Sequence, residues 1–109
     1  MNLVEEYTSI NRDADVEFRY VYRLIKKDYR GIIVYGIEIE RKDCVGLKNI
    51  NLEREKIEMI SPHRYKVKQL LKTLYNNQVS PIHLIDIIGS YADEQAYEFD
   101  AGIQEQAIN

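Results

Sequence analysis

The sequence has 109 residues and is poor in the residue types that would assign it to a class at once. It contains no Trp, only two Pro and two His, and a single Cys, Cys44. A lone cysteine cannot form an intramolecular disulfide, whereas small secreted domains usually depend on several. No apolar run approaches the roughly 18 residues needed to cross a bilayer, and the first residues carry two acids instead of a basic, then apolar leader. We therefore expect a cytoplasmic protein that does not insert into a membrane.

The composition is that of a globular domain, because 45% of the residues are hydrophobic, 30% are charged, and nine are Tyr. Charge is distributed unevenly: residues 1–92 hold 15 bases against 13 acids, a net charge of +2, and residues 93–109 hold five acids and no base. We predict a weakly ordered N-terminal segment or edge strand at 1–15, a single α+β domain at 16–92, and an acidic, flexible tail at 93–109.

Two segments, 16–25 and 31–41, alternate between apolar and polar residues with a period of two. This alternation, rich in aromatic and β-branched residues, predicts two half-buried strands that form an antiparallel hairpin. With residues 27–30 as the loop, Leu24 would face Ile33 on the apolar side and Arg19 would face Glu38 on the polar side. Residues 42–53 are expected to form a loop, and Lys56–Ile60 either a third short strand or an extended segment that leads into the first helix.

Two helices are expected after this sheet. Ser61-Pro62 and Ser80-Pro81 each resemble a helix start, with Ser as N-cap and Pro in the first turn. Apolar residues at helical spacing follow each start: Val67, Leu70, Leu71 and Leu74 in the first helix, then Ile82, Ile85 and Ile88 in the second. The predicted architecture is an antiparallel sheet of two to four strands followed by an αα-hairpin packed on its aromatic face.

No pattern of residues indicates a catalytic, cofactor or metal site. The two His, at 63 and 83, begin different helices whose starts would lie about 20 Å apart in an antiparallel pair. Cys44 has no second Cys as a co-ligand. Glu38 and Glu40 share a strand face and could suit acid–base chemistry, but an exposed polar face explains them better. We predict a non-enzymatic protein that uses no cofactor.

One apolar patch is predicted on the polar side of the hairpin, formed by Val21, Ile25, Ile32 and Val34. It is either covered by the N-terminal segment, with Leu3 and Val4, or left open as a contact surface. An open patch would bind a protein partner or a second copy of the chain, which predicts a protein-interaction or regulatory module working as a homodimer.

The alternative is a nucleic-acid-associated regulator. Arg64, Lys68 and Lys72 recur at every fourth residue of the first predicted helix, so they would form a basic stripe able to contact phosphates. The acidic total charge does not favour this alternative, and the Tyr of the first strand would point away from its Arg, which does not suit base stacking.

The hairpin segments, Ile57 before the first helix, and the element Val-Ser-Pro-Ile-His-Leu at 79–84 together resemble a family of small clostridial proteins classed only as a domain of unknown function. The resemblance covers about residues 16–92. It implies a bacterial protein and carries over no activity, cofactor or functional residue.

Overall fold

A computed structural model describes residues 2–88. Four strands, β1 (Asn2–Asp13), β2 (Val16–Tyr29), β3 (Ile32–Val45) and β4 (Lys48–Ser61), form one antiparallel sheet in the order β1-β2-β3-β4. The helix α1 (Arg64–Asn76) follows, then a 3-10 helix (Pro81–His83) that leads into helical residues 84–88. The α+β class is thus confirmed, and the sheet has the largest number of strands expected.

The β2–β3 turn is shorter than predicted. Arg30 and Gly31, with φ angles of 53° and 83°, form a two-residue connection with both residues in the left-handed region. The Asp28 side chain supports it by accepting a hydrogen bond of 2.9 Å from the Gly31 N–H. Leu24 therefore pairs with Ile37 and not with Ile33, a register four residues from the predicted one. Because four is an even number, every side chain remains on its predicted face.

The predicted loop at 42–53 was wrong, because these residues continue β3 and begin β4 around a turn at Gly46, whose φ is 61°. The predicted short strand at 56–60 is the end of the 14-residue β4. Asn and Lys are common around this turn and do not favour strands individually, but pairing with β3 determines their conformation. The acidic tail predicted at 93–109 lies outside the described residues.

The first helix start differs from prediction, whereas the second is as predicted, with Ser80 as N-cap and Pro81 in the first turn. Ser61 ends β4 and accepts a hydrogen bond of 3.1 Å from the His63 N–H, and α1 begins at Arg64. The buried side of α1 is the predicted one and includes Val67, Leu71 and Leu74. After α1 the buried residues are Pro81, Leu84 and Ile88, whereas Ile82 and Ile85 are exposed. The buried side therefore begins at Pro81, one residue before the predicted position, and coincides with the prediction only at Ile88.

The core lies between one face of the sheet, here called the helix face, and the helical segments. Tyr22 is fully buried at its centre, and its hydroxyl donates a hydrogen bond of 3.0 Å to the Val79 carbonyl. Tyr75 of α1 packs edge-on against the Tyr22 ring at 5.7 Å. The main sheet residues of this core are Tyr20, Tyr22, Leu24, Ile37 and Ile39. Burial of their rings and branched side chains is the chief stabilising contribution.

The sheet is longer than the helix that covers it. Strands of 14 residues extend about 45 Å, whereas the 13 residues of α1 extend about 20 Å. α1 begins beside Glu5, where Arg64 contacts it, and the turn after α1 reaches Asn11 through Gln78. The end of the sheet that carries the turns at Ala14 and Gly46, called the distal end here, projects beyond α1.

Close packing at Gly36 gives a test of the register between β3 and β4. A Cβ at this position would lie 2.2 Å from the Ile57 carbonyl oxygen and 2.4 Å from that of Glu58. Gly36→Ala should therefore lower the free energy of unfolding by about 3 kcal/mol or more, because backbone must move. Urea denaturation measures this.

Gly46→Ala is the matched control. An added Cβ there meets nothing within 4 Å, so only the positive φ should cost stability, about 1 kcal/mol. Equal losses for the two variants would contradict the close approach of β4 to Gly36.

Candidate functional site

The second face of the sheet, called the charged face here, carries a network of ion pairs across all four strands. Arg23 of β2 lies at its centre, 3.0 Å from Glu6 of β1, 2.7 Å from Glu38 and 3.0 Å from Glu40, both of β3. Arg54 of β4 approaches Glu40 at 2.8 Å. Each strand is thus joined to its neighbour by a charge-assisted hydrogen bond as well as by its backbone ladder.

Glu40 is the most buried carboxylate of this network, with its side chain 5% exposed. Burial opposes its ionisation, but hydrogen bonds from Arg23 and Arg54 outweigh burial and hold the pKa of Glu40 below its ordinary value. Burial opposes the charged form of Arg23 as well, but its hydrogen bonds to Glu40, Glu6 and Glu38 outweigh burial and raise the pKa of Arg23. Glu40 is therefore ionised near neutral pH and serves as an anchor for cations.

The distal part of the charged face exposes bases above buried acids. Glu17 and Glu40 are 16% and 5% exposed, and each is shared by more than one cation. The four cations that they hold at this end are between 48% and 74% exposed: Arg12, Arg19, Lys42 and Arg54. Because the carboxylates are less exposed than the basic side chains that bind them, this surface presents positive charge to solvent.

One row across the distal end has an unusual pairing. Arg19 and Lys42 lie directly opposite each other on β2 and β3. Ile10 of β1 is the neighbour of Arg19 on one side, and Leu52 of β4 is the neighbour of Lys42 on the other. The row therefore has two cations at its centre and an exposed apolar side chain at each end.

On the helix face, the distal end is stabilised by an arginine instead of a helix. The Arg41 guanidinium lies 4.9 Å from the centre of the Phe18 ring and 5.8 Å from that of Tyr20. It also binds both carboxylate oxygens of Asp43, at 2.8 and 3.1 Å. Asn51 of β4 donates a further hydrogen bond to Asp43. Arg41 covers the aromatic rings and carries its own counter-ion.

Large apolar side chains are exposed where the β3–β4 hairpin ends. Within residues 44–52, which contain only one charged residue, four are exposed by 39% to 107%: Val45, Leu47, Ile50 and Leu52. The sequence interpretation missed this group because it assigned residues 42–53 to a loop. Low charge in a chain that is 30% charged was the available signal.

The apolar patch predicted at Val21, Ile25, Ile32 and Val34 does lie on one face, the charged face. Ile25 and Val34 are buried, with 5% and 1% exposed, so they present almost no area to a partner. Leu3 is the strand neighbour of Ile25 and does not lie over it. The predicted use of these four residues as an interface stays a prediction.

The basic stripe of α1 is partly neutralised. Arg64 and Lys68 each lie 3.2 Å from the Glu5 carboxylate, which joins the helix to β1. The hydrogen bonds that Glu5 accepts, including one from Tyr7, hold its pKa below the ordinary value despite some desolvation. Lys72 is exposed. Two of the three predicted phosphate contacts therefore already have a structural role.

No group of three His, Cys, Asp or Glu side chains able to hold a metal ion occurs among residues 2–88. Cys44, which the sequence analysis considered as a metal ligand, is buried. In the described part of the chain no helix is long and apolar enough to cross a membrane.

A shallow depression of about 400 Å³ lies at the distal tip, and Arg12, Glu17 and Arg19 contribute to its lining.

These features define the protein as a small α+β domain with a four-stranded antiparallel meander, one helix-covered face and one charged face. A family model described as "Family of unknown function (DUF6514)" matches residues 1–94, and the chain belongs to this family. The predicted membership of a domain family of unknown function is thus confirmed, and the match also includes β1. Neither the curated proteins nor the solved structures gave a match.

Glu40→Gln tests the ion-pair network. The change leaves Arg23 and Arg54 without their shared anion, so the free energy of unfolding at pH 7 should fall by about 2 kcal/mol. Because the folded-state pKa of Glu40 is lowered, its contribution is fully present above its ordinary value of 4.5 and is lost as the pH falls through the lower folded value.

Urea denaturation between pH 3 and pH 7 measures both effects. The difference between wild type and Glu40→Gln should shrink toward the acid end of the range. Glu55→Gln, on the other face of β4, is the control and should change stability little. A difference that is independent of pH would show that the Glu40 charge does not stabilise the fold.

Proposed function

We propose that this chain is a small, cytoplasmic, non-enzymatic module of bacterial, clostridial origin that acts by binding another protein. The contact surface is the distal end of the sheet. The observation that carries the proposal is the exposed apolar group Val45, Leu47, Ile50 and Leu52 at the tip of an ordered hairpin. Exposed apolar side chains gathered in one place favour a partner that removes them from water.

The position of this group supports a binding role over a structural one. Leu47 is fully exposed at the turn, and Ile50 and Leu52 project from β4, which is an edge strand. The core cluster at the other end of the sheet does not include them. Edge strands are normally protected by charge, and β4 has that protection from Glu53 to Lys56 but not from Asn49 to Leu52.

The sequence favours a homodimer as the form of this function, with a contact surface formed by Val21, Ile25, Ile32 and Val34. Burial of Ile25 and Val34 gives that surface less support than the distal end. A nucleic-acid-binding role through Arg64, Lys68 and Lys72 has less support again, because Glu5 already pairs with the first two.

Affinity capture from a lysate of the native host, with nuclease added, tests the proposal. The variant Leu47→Asn, Ile50→Thr, Leu52→Thr should lose the protein partners that the wild type retains. These side chains are exposed, so the variant should keep the wild-type melting temperature to within a few degrees.

The matched control is Leu3→Thr, Ile33→Thr, which removes exposed apolar side chains from the other end of the sheet. This control should retain every partner. Retention of the same partners by the hairpin variant would contradict the proposed contact surface.

A further inference from the structure

We infer that the row Ile10, Arg19, Lys42 and Leu52 binds a partner segment in which acidic side chains are flanked by apolar ones. The inference rests on the proposed function and adds the chemistry of the partner. It places recognition on the charged face of the distal end, beside the exposed hairpin residues, so that both surfaces meet the same protein.

The first observation is the direct opposition of Arg19 and Lys42. Like charges at opposed positions on neighbouring strands destabilise a sheet. Two rows farther along the charged face, Arg23 lies opposite Glu38, which is the favourable arrangement. Local pairings that cost stability, in a sheet that elsewhere pairs its charges well, tend to mark functional positions.

The second observation is that these two cations are incompletely neutralised. Arg19 donates its Nε–H to Glu17, whose carboxylate is also bound by Arg12 at 2.9 Å. The Lys42 ammonium lies 3.7 Å from Glu40, too far for a hydrogen bond. Both side chains are about half exposed, so they can take a carboxylate of another molecule without leaving their present partners.

The third observation is the apolar ends of the row. Ile10 is 60% exposed and Leu52 is 51% exposed. With neighbouring strands about 4.8 Å apart, they lie about 14 Å from each other across the sheet. A segment crossing the strands would place acids over the central cations and apolar side chains at the ends. The depression at the tip, lined partly by Arg12 and Arg19, adjoins the row and can receive a further side chain.

Charge and composition favour a protein over the other occupants. A second copy docked face to face would bring the same cations together. Single-stranded nucleic acid needs aromatic rings for stacking, and the four rows that hold Arg12, Arg19, Val21 and Arg23 contain none. A phosphate backbone makes no apolar contact with Ile10 and Leu52, whereas acidic protein segments commonly carry acidic and apolar side chains together.

The first experiment titrates the full, 15N-labelled chain with a heptapeptide of alternating Glu and Leu and follows the backbone amides by NMR. Saturable shifts are expected at Ile10, Arg19, Lys42 and Leu52. Arg19→Thr, Lys42→Thr should weaken the affinity about tenfold or more. The control Arg64→Thr, Lys72→Thr removes the same charge from α1 and should change it less than about twofold.

Several results would overturn the inference. They are the lack of saturable shifts at millimolar peptide, equal affinity for the Gln–Leu analogue, and tighter binding of a DNA duplex to the same amides. A shift of these amides on dilution of the free protein would assign the row to a second copy. If replacing the five acids in residues 93–109 by their amides shifts the same amide signals in the free protein, the row binds this chain's own acidic segment.

Folding of the variant is checked separately. Lys42→Thr removes one of two like charges and adds a β-branched residue, so its melting temperature should equal or exceed that of the wild type. A lower melting temperature would show that Lys42 is placed for stability and would overturn the argument from charge opposition.

The same variants separate this inference from the proposed function. If the hairpin variant loses its partners in affinity capture and Arg19→Thr, Lys42→Thr retains them, the distal end binds protein but the row does not select it by charge. If both variants retain all partners, the proposed function itself fails.

Discussion

The difference in length between strands and helix is the constraint on which this structure depends. Strands of 14 residues cannot be covered by a helix of 13, because each strand residue advances more than twice as far as a helical one. The hydrophobic core therefore occupies one part of the sheet, around Tyr22 and Leu24. The distal end must remain ordered by interactions within the sheet.

Two sets of side chains provide that order. On the charged face, Arg23, Glu40 and Arg54 link β2 to β4 in a continuous series of ion pairs. On the helix face, Arg41 lies over Phe18 and Tyr20 and is held by Asp43. Neither arrangement requires a second layer of secondary structure. The result is a surface that is ordered and accessible at the same time, which is what a contact site built on strands needs.

The sequence predicted what depends on local periodicity. Alternation placed Tyr22, Leu24, Ile37 and Ile39 on the core face, and helical spacing found Val67, Leu71 and Leu74. It could not predict the register, because the turn is made by Arg30-Gly31, and Arg is not a residue that signals a left-handed conformation.

The candidate site depends on that register. Arg19 and Lys42 are 23 positions apart in the sequence, and the predicted pairing placed Arg19 against Glu38, a favourable pair with no functional meaning. The exposed hairpin residues were not predicted for a related reason. Gly46 and the Asn residues near it individually favour a loop, so the sequence did not indicate that strands continue there. The α+β class and membership of a family of unknown function are established, and the family match reaches from β1 to residue 94.

Hydrogen–deuterium exchange tests the central claim most directly, when it is measured on the full chain alone and again with a partner recovered by affinity capture. The account predicts that the partner slows exchange in residues 8–19 and 42–52, where the strands pass the distal end, and leaves α1 unchanged. Protection confined to α1, or to residues 21–34 around Ile25 and Val34, would contradict it.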